Sequence, residues 1–150
     1  MIDTLAATPH RVRELLDGLS EEQLSLKPAD GRFSLRENVL HLRDIDVDGY
    51  EKRLARILRE SHPRLADVDG ARLARERDYN AQPVTPALET FERSRAASIE
   101  WLRGIDERDF ERTAEMEGVG TVSLRRLVEM WLQHDTEHLE EMRQLRAAHG

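Results

Sequence analysis

The chain has 150 residues, 39% hydrophobic and 35% charged, with a net charge of −7 and no cysteine. That length suits one domain over residues 1–150 with a sizeable core, and the acidic balance opposes nucleic acid and anionic membranes as partners, since both need a concentrated basic surface. The absence of cysteine excludes a thiol nucleophile on the protein, disulfides and thiolate metal ligands, leaving nitrogen and oxygen donors for any site.

The N-terminus lacks a basic region followed by an apolar run, and no stretch approaches the roughly 18 apolar residues of a membrane span. The expectation is a cytoplasmic protein. In the first helical segment Ile2, Leu5, Val12, Leu16 and Leu19 recur at intervals built from three and four. Pro9 interrupts it, either as a kink or because the regular helix begins at Thr8-Pro9. Ser20-Glu21-Glu22-Gln23 fits the cap of a short turn, and residues 27–31 read as a loop.

The second segment opens on Ser34-Leu35-Arg36-Glu37, a capping box, and runs to about Glu60. Leu35, Val39, Leu42, Asp46, Gly49, Tyr50, Leu54 and Ile57 share one side of it at ~100° per residue. Ser61-His62-Pro63 ends the helix. Residues 61–85 form a long connection with one helical turn near Ala71 to Arg77, and such connections often lie over functional sites. Thr85-Pro86 starts the third helix, whose inward stripe is Leu88, Phe91, Arg95, Ile99 and Leu102. Residues 112–120 read as irregular. The fourth helix begins near Thr121 or Ser123 and carries Leu124, Leu127, Val128, Trp131, His138, Met142 and Leu145. Four amphipathic helices predict an all-α four-helix bundle.

Three histidines carry the chemistry. His134-Asp-Thr-Glu-His138 puts two imidazoles one turn apart on one helical face, beside Leu127 and Trp131, a spacing that suits one divalent metal. His41, at the edge of the second helix's apolar stripe, supplies a third nitrogen from another helix, which leaves coordination positions open for water or substrate. The alternative is three ordinary histidines, His134 and His138 bonded to carboxylates such as Asp135 or Glu141. Asp135 stands where a His-Glu-x-x-His zinc protease needs its glutamate base, which excludes that class. Asp44 and Asp48 are candidates to orient the His41 ring.

Two further residues are candidate catalytic groups. Arg95 occupies the centre of an apolar stripe and either pairs with a buried carboxylate or reaches into the cavity as an anion-binding arm. Glu141 shares the stripe of His134 and His138 and is a candidate general base or acceptor for an imidazole N–H.

With these residues in view, the chain resembles the DinB-like superfamily of metal-binding four-helix bundles over nearly its whole length. The marks are Phe33-Ser-Leu-Arg-Glu-Asn-Val-Leu-His41-Leu-Arg-Asp44, Arg77-Asp-Tyr-Asn80, and Val122-Ser-Leu leading to His134-Asp-Thr-Glu-His138-Leu. The resemblance implies that His41, His134 and His138 bind one divalent metal ion, zinc or nickel before others. It also implies a homodimer and a small-molecule substrate. Relatives that use bacillithiol or mycothiol imply a thiol-dependent S-transferase or isomerase with a low-molecular-weight thiol as cofactor. A metal-dependent hydrolase using metal-bound water is the alternative, and a non-catalytic stress-related metal-binding or scaffold protein the third. Phe33, where many relatives have tryptophan, is expected to stay clear of the ligand set. The bundle is expected to run up-down-down-up with a long connection between its second and third helices.

Overall fold

Both capping boxes form. Ser20 and Ser34 each accept from the backbone N–H three residues on, while Gln23 and Glu37 reach back to the cap N–H. In the computed structural model, which describes residues 1–149, they open α2 (Glu21–Ser25) and α3 (Leu35–Asp44). α1 (Ile2–Leu16) precedes them. α3 passes through one π turn (Ile45–Tyr50) into α4 (Glu51–Arg59), making one long bent rod. The third and fourth rods are α6 (Val84–Gly104) and α7 (Leu124–Ala147), the latter capped by Ser123.

Side-chain bonds between rods fix their order and direction. Arg103 meets Asp3 and Arg13 meets Glu92, so α1 and α6 run antiparallel. His41 meets His134 and Asp46 meets Trp131, so α3 and α7 are antiparallel. Thr8 bonds Asp135 and Arg146 bonds the Leu15 carbonyl, which makes α1 and α7 parallel. α6 lies beside α3–α4 in parallel: Leu35 shares an apolar cluster with Leu88, and Leu54 shares the other with Ile99. The result is an all-α, up-down-down-up four-helix bundle.

The long connection is more ordered than its composition suggests. It holds β1 (Arg64–Leu65), α5 (Gly70–Glu76) and a 3-10 turn (Tyr79–Ala81). Residues 112–120, expected to be irregular, instead contribute β2 (Thr113–Met116), which turns through left-handed Gly118 into β3 (Gly120–Ser123). β2 pairs with β3 antiparallel, Thr113 opposite Ser123, and with β1 in parallel, Arg64 opposite Glu115. Strands of two and four residues are too short for alternation to show in the sequence. α6 also starts at Val84, one residue before the expected Thr85-Pro86, with Pro83 as its cap.

Across the middle of the bundle a polar layer separates two apolar clusters, one built around Leu54, Leu102 and Trp131, the other around Val39, Phe91 and Met142. Each rod supplies one polar residue to it: Thr8, Asp46, Arg95 and Asp135, all at most 2% exposed. Arg95 donates to both Asp46 oxygens (2.9 and 3.0 Å), to both Asp135 oxygens (2.6 and 2.9 Å) and to the Leu5 carbonyl (2.8 Å). Thr8 donates to Asp135 at 2.7 Å and the Trp131 indole to Asp46 at 3.0 Å.

The Leu5 bond explains Pro9. The helix neither starts there nor breaks: Pro9 is buried inside α1. Lacking an N–H, proline leaves the carbonyl four residues back without its helical partner, and here that carbonyl, Leu5, accepts from Arg95 instead.

Removing one partner of a buried pair leaves an uncompensated charge, which costs roughly 3–5 kcal/mol. Arg95→Ala is therefore expected to lower the urea-unfolding free energy by about that amount. A loss below about 1 kcal/mol, the range of a surface pair, would mean the layer does not hold the rods together.

Candidate metal centre

His41 lies on α3, and His134 and His138 lie one turn apart on α7. Because α3 and α7 are antiparallel neighbours, the three rings meet with centroids 4.5–5.0 Å apart. One ring nitrogen from each lies within 4.8 Å of the others, and the Nε2 atoms of His41 and His134 are 3.0 Å apart. Two nitrogens bound to one tetrahedral ion at ~2.0–2.1 Å stand roughly 3.4 Å from each other. The spacing, and a donor set of three imidazoles, fit one borderline divalent ion.

The chain sets the tautomer of His138. Asn38 donates its amide N–H to the Ser34 carbonyl at 3.0 Å, which turns its Oδ1 toward His138 Nδ1 at 2.7 Å. An amide oxygen only accepts, so Nδ1 carries the hydrogen and Nε2 keeps its lone pair. His41 and His134 have no such partner, and their buried Nδ1 atoms are unbonded among the described residues. The His41 ring is held by packing instead. A Cβ on Gly70, at the start of α5, would lie 2.7 Å from its Cε1 and 3.0 Å from its Nδ1. On another side Phe33 stands 5.3 Å away, centroid to centroid, so Phe33 does touch the histidine set, contrary to expectation.

Burial disfavours the imidazolium form throughout. Burial and the neighbouring His138 push His41 down to about 3, and burial with His138 and His41 pushes His134 down to about 2. Burial lowers His138 as well. All three rings are neutral at pH 7, with lone pairs available to a metal.

The other candidates fall elsewhere. Arg95 spends all five N–H donors in the midplane layer, where burial opposes its charge but Asp46 and Asp135 outweigh burial and raise its pKa. That is the buried-carboxylate pairing rather than the free anion-binding arm. Asp135, next to His134 in sequence, belongs to the same layer and bonds no histidine. Glu141 sits 3.7 Å from His138 Nδ1, on the side away from the shared Nε2 space, and burial raises its pKa. Asp44 does not orient His41; it binds the Tyr79 hydroxyl, Arg43 and Arg77, while Asp48 binds Arg77.

Asn38 and Gly70 were not singled out from sequence. Asn38 left one signal, an amide with no cap or turn to serve, one turn before His41 inside a helix. Gly70 left none, because its role depends on a chain crossing.

Comparison with known proteins agrees with this fold. A family model described as the DinB superfamily matches residues 4–142. Curated relatives carry the name "putative metal-dependent hydrolase". One from Oceanobacillus iheyensis is 25% identical over 96% of this chain and 83% of its own length. One from Geobacillus kaustophilus is 25% identical over 99% and 84%, and one from Bacillus pumilus 27% identical over 96% and 82%. In fold the chain is similar to YfiT from Bacillus subtilis, described as a probable metal-dependent hydrolase with an unusual four-helix bundle topology. The TM-score is 0.91 at 19% identity, covering 99% of this chain and 85% of that one.

Two outcomes are expected. Unfolded, His41 and His134 bind protons below pH about 6.5, and folded they do not, so their contribution to stability is full above that pH. It falls as pH drops toward the folded values of about 3 and 2. Urea unfolding of chelator-treated protein should lose about 1.4 kcal/mol per pH unit for each of His41 and His134 between pH 6 and 5, and a flat profile there would refute the buried neutral state. Gly70→Ala should weaken metal binding at least tenfold in a competitive chelator titration while the helical circular dichroism signal persists.

Proposed function

The chain belongs to the DinB superfamily, and from that premise we propose that it is a divalent-metal-dependent enzyme whose ion is held by His41, His134 and His138. One observation carries the reading: three neutral imidazoles from two helices present one nitrogen each within a 4.8 Å space. A divalent ion bound there supplies Lewis acidity at positions that the protein leaves open, lowering the pKa of a water or thiol that fills them. The protein's part is to keep the rings neutral by burial, to fix the His138 tautomer through Asn38, and to hold His41 in place with Gly70 and Phe33.

Hydrolysis of a small-molecule ester or amide is the leading reaction class, supported by the names of the relatives. Thiol transfer with a low-molecular-weight thiol is the second, and one observation favours it. Carboxylates around the triad are committed elsewhere or turned away: Asp135 to Arg95 and Thr8, Asp44 to Tyr79 and Arg77, Glu137 to Gln133, and Glu141 to the Nδ1 side of His138. A thiol nucleophile, activated by its lowered pKa, does not need a protein carboxylate as base. Zinc and nickel both suit three nitrogen donors.

Metal analysis by mass spectrometry on untagged protein purified without chelator tests the reading. About one ion per chain is expected, with His138→Ala losing it while helicity is retained; unchanged stoichiometry in that variant would show the ligand set to be wrong. Metal-dependent turnover of p-nitrophenyl esters without added thiol assigns hydrolysis. Metal-dependent loss of a thiol with an electrophile such as chlorodinitrobenzene assigns transfer.

A further inference from the structure

The bundle buries a second arginine with a very different environment from Arg95. Arg53, on α4, is 6% exposed, with its side chain 8% exposed. Its Nε is buried and bonded to nothing among the described residues. Its guanidinium donates one bond, from Nη2 to the Ala66 carbonyl at 3.2 Å, and the nearest carboxylate is the exposed Asp67 at 3.8 Å. The face of Tyr50 lies 5.1 Å from the guanidinium carbon. Arg95, buried still more completely, has five bonds and two carboxylates. A buried guanidinium with one full bond is expensive to keep unless something else completes it.

A cavity of about 150 Å³ opens beside this group, between α4 and the β1 segment, lined by Gly49, Lys52, Arg53, Arg56, Leu65 and Ala66 together with Asp48. Two of the other charged walls are engaged: Asp48 with Arg77, and Arg56 with Glu60 and the Arg64 carbonyl. Lys52 is largely exposed and 3.6 Å from Asp48. Arg53 is the buried cation of this lining and the one whose donors are least used, with a single hydrogen bond to the Ala66 carbonyl.

One stretch of chain links the cavity to the histidines. A Cβ on Gly49 would lie 3.5 Å from Val68 and 3.8 Å from the Arg53 guanidinium, so the arginine side chain runs back along its helix toward α3. The stretch 66–70 covers both groups, with the Ala66 carbonyl on the guanidinium and Gly70 on the His41 ring. Four residues of extended chain span at most ~14 Å, which bounds the separation of Ala66 and Gly70, the residues that meet the two groups. The charge of Arg53 is also among those that oppose protonation of His134.

We propose that Arg53 is the anion-recognising residue of this site and takes a carboxylate or phosphate oxyanion of the substrate. The substrate's reacting group would then face the histidine triad. The guanidinium offers its remaining Nη–H groups to either oxyanion, the Nε being closed off by burial. This deepens the metal-enzyme reading and rests on it for the word substrate, but anion binding itself needs no metal.

The test separates the two. Chelator-treated, ¹⁵N-labelled wild-type protein is titrated with sodium acetate or inorganic phosphate at constant ionic strength, with chloride as control, following the Arg53 Nε–H resonance assigned from Arg53→Lys. Saturable movement with one of the two oxyanions, absent in chloride, is expected and names the source chemistry. A linear drift equal to that in chloride overturns the proposal, whatever the metal analysis shows. On metal-loaded protein, Arg53→Gln should lower the ratio of kcat/KM for a carboxylate-bearing nitrophenyl ester over its neutral counterpart at least tenfold. An unchanged ratio also overturns it. If the variant fails to fold or no ester is turned over, the wild-type titration decides.

Discussion

The ion pairing of Arg95 with Asp46 and Asp135 is the constraint on which the rest of this bundle depends. Each of the four long rods places one polar group at the same level, so the fold is held at its middle by directional bonds rather than by apolar contact alone. One guanidinium serves two carboxylates and a main-chain carbonyl. Apolar packing tolerates a helix rotating or sliding by a fraction of a turn; a five-bond guanidinium tolerates neither. Two carboxylates on one cation also leave excess negative charge in the layer. Burial holds Asp46 above the ordinary carboxylate range despite the pull of Arg95.

The consequence for the histidines is positional. Asp135 lies between His134 and His138 in sequence, and Asp46 lies five residues beyond His41. Fixing the two aspartates on one guanidinium therefore fixes the roll of α7 and of the α3–α4 rod, and with it the direction from which the imidazoles approach one another. The π turn takes part, since it carries Asp46 and buries Ile45, Asp46, Gly49 and Tyr50 within one wide turn. Trp131 closes the link, donating to Asp46 one turn before His134 and stacking on Tyr50 at 4.7 Å.

Features that rest on local geometry were legible in the chain. Ser34 with Glu37 marks the start of α3, His134 with His138 marks one helical face, and an arginine in an apolar stripe calls for a buried carboxylate. Their partners were not legible, because each comes from another rod. Asn38 turns toward His138 from a hundred residues away in sequence, and the Pro9 helix survives because Arg95 takes the carbonyl that proline strands. Gly70 reads as a loop glycine until α5 is laid over His41. The hairpin at 113–123 was missed for a different reason: four-residue strands carry too little pattern to separate from loop.

The two buried arginines divide the interior into a finished part and an open part. Around Arg95 every donor is matched, so that layer can hold the rods but has nothing left to offer a ligand. Around His41, His134 and His138 burial keeps the rings neutral, and the Nε2 atoms of His41 and His134 meet at 3.0 Å, a spacing that needs a hydrogen or a cation between them. Arg53 presents the opposite deficit, a buried guanidinium with one hydrogen bond and one distant, exposed carboxylate. A cation for the triad and an anion for the arginine would satisfy both, and the 66–70 stretch places the two deficits under one cover. The folded chain is thus internally complete where it must be rigid, and incomplete in complementary charge where a metal and an anionic molecule would meet.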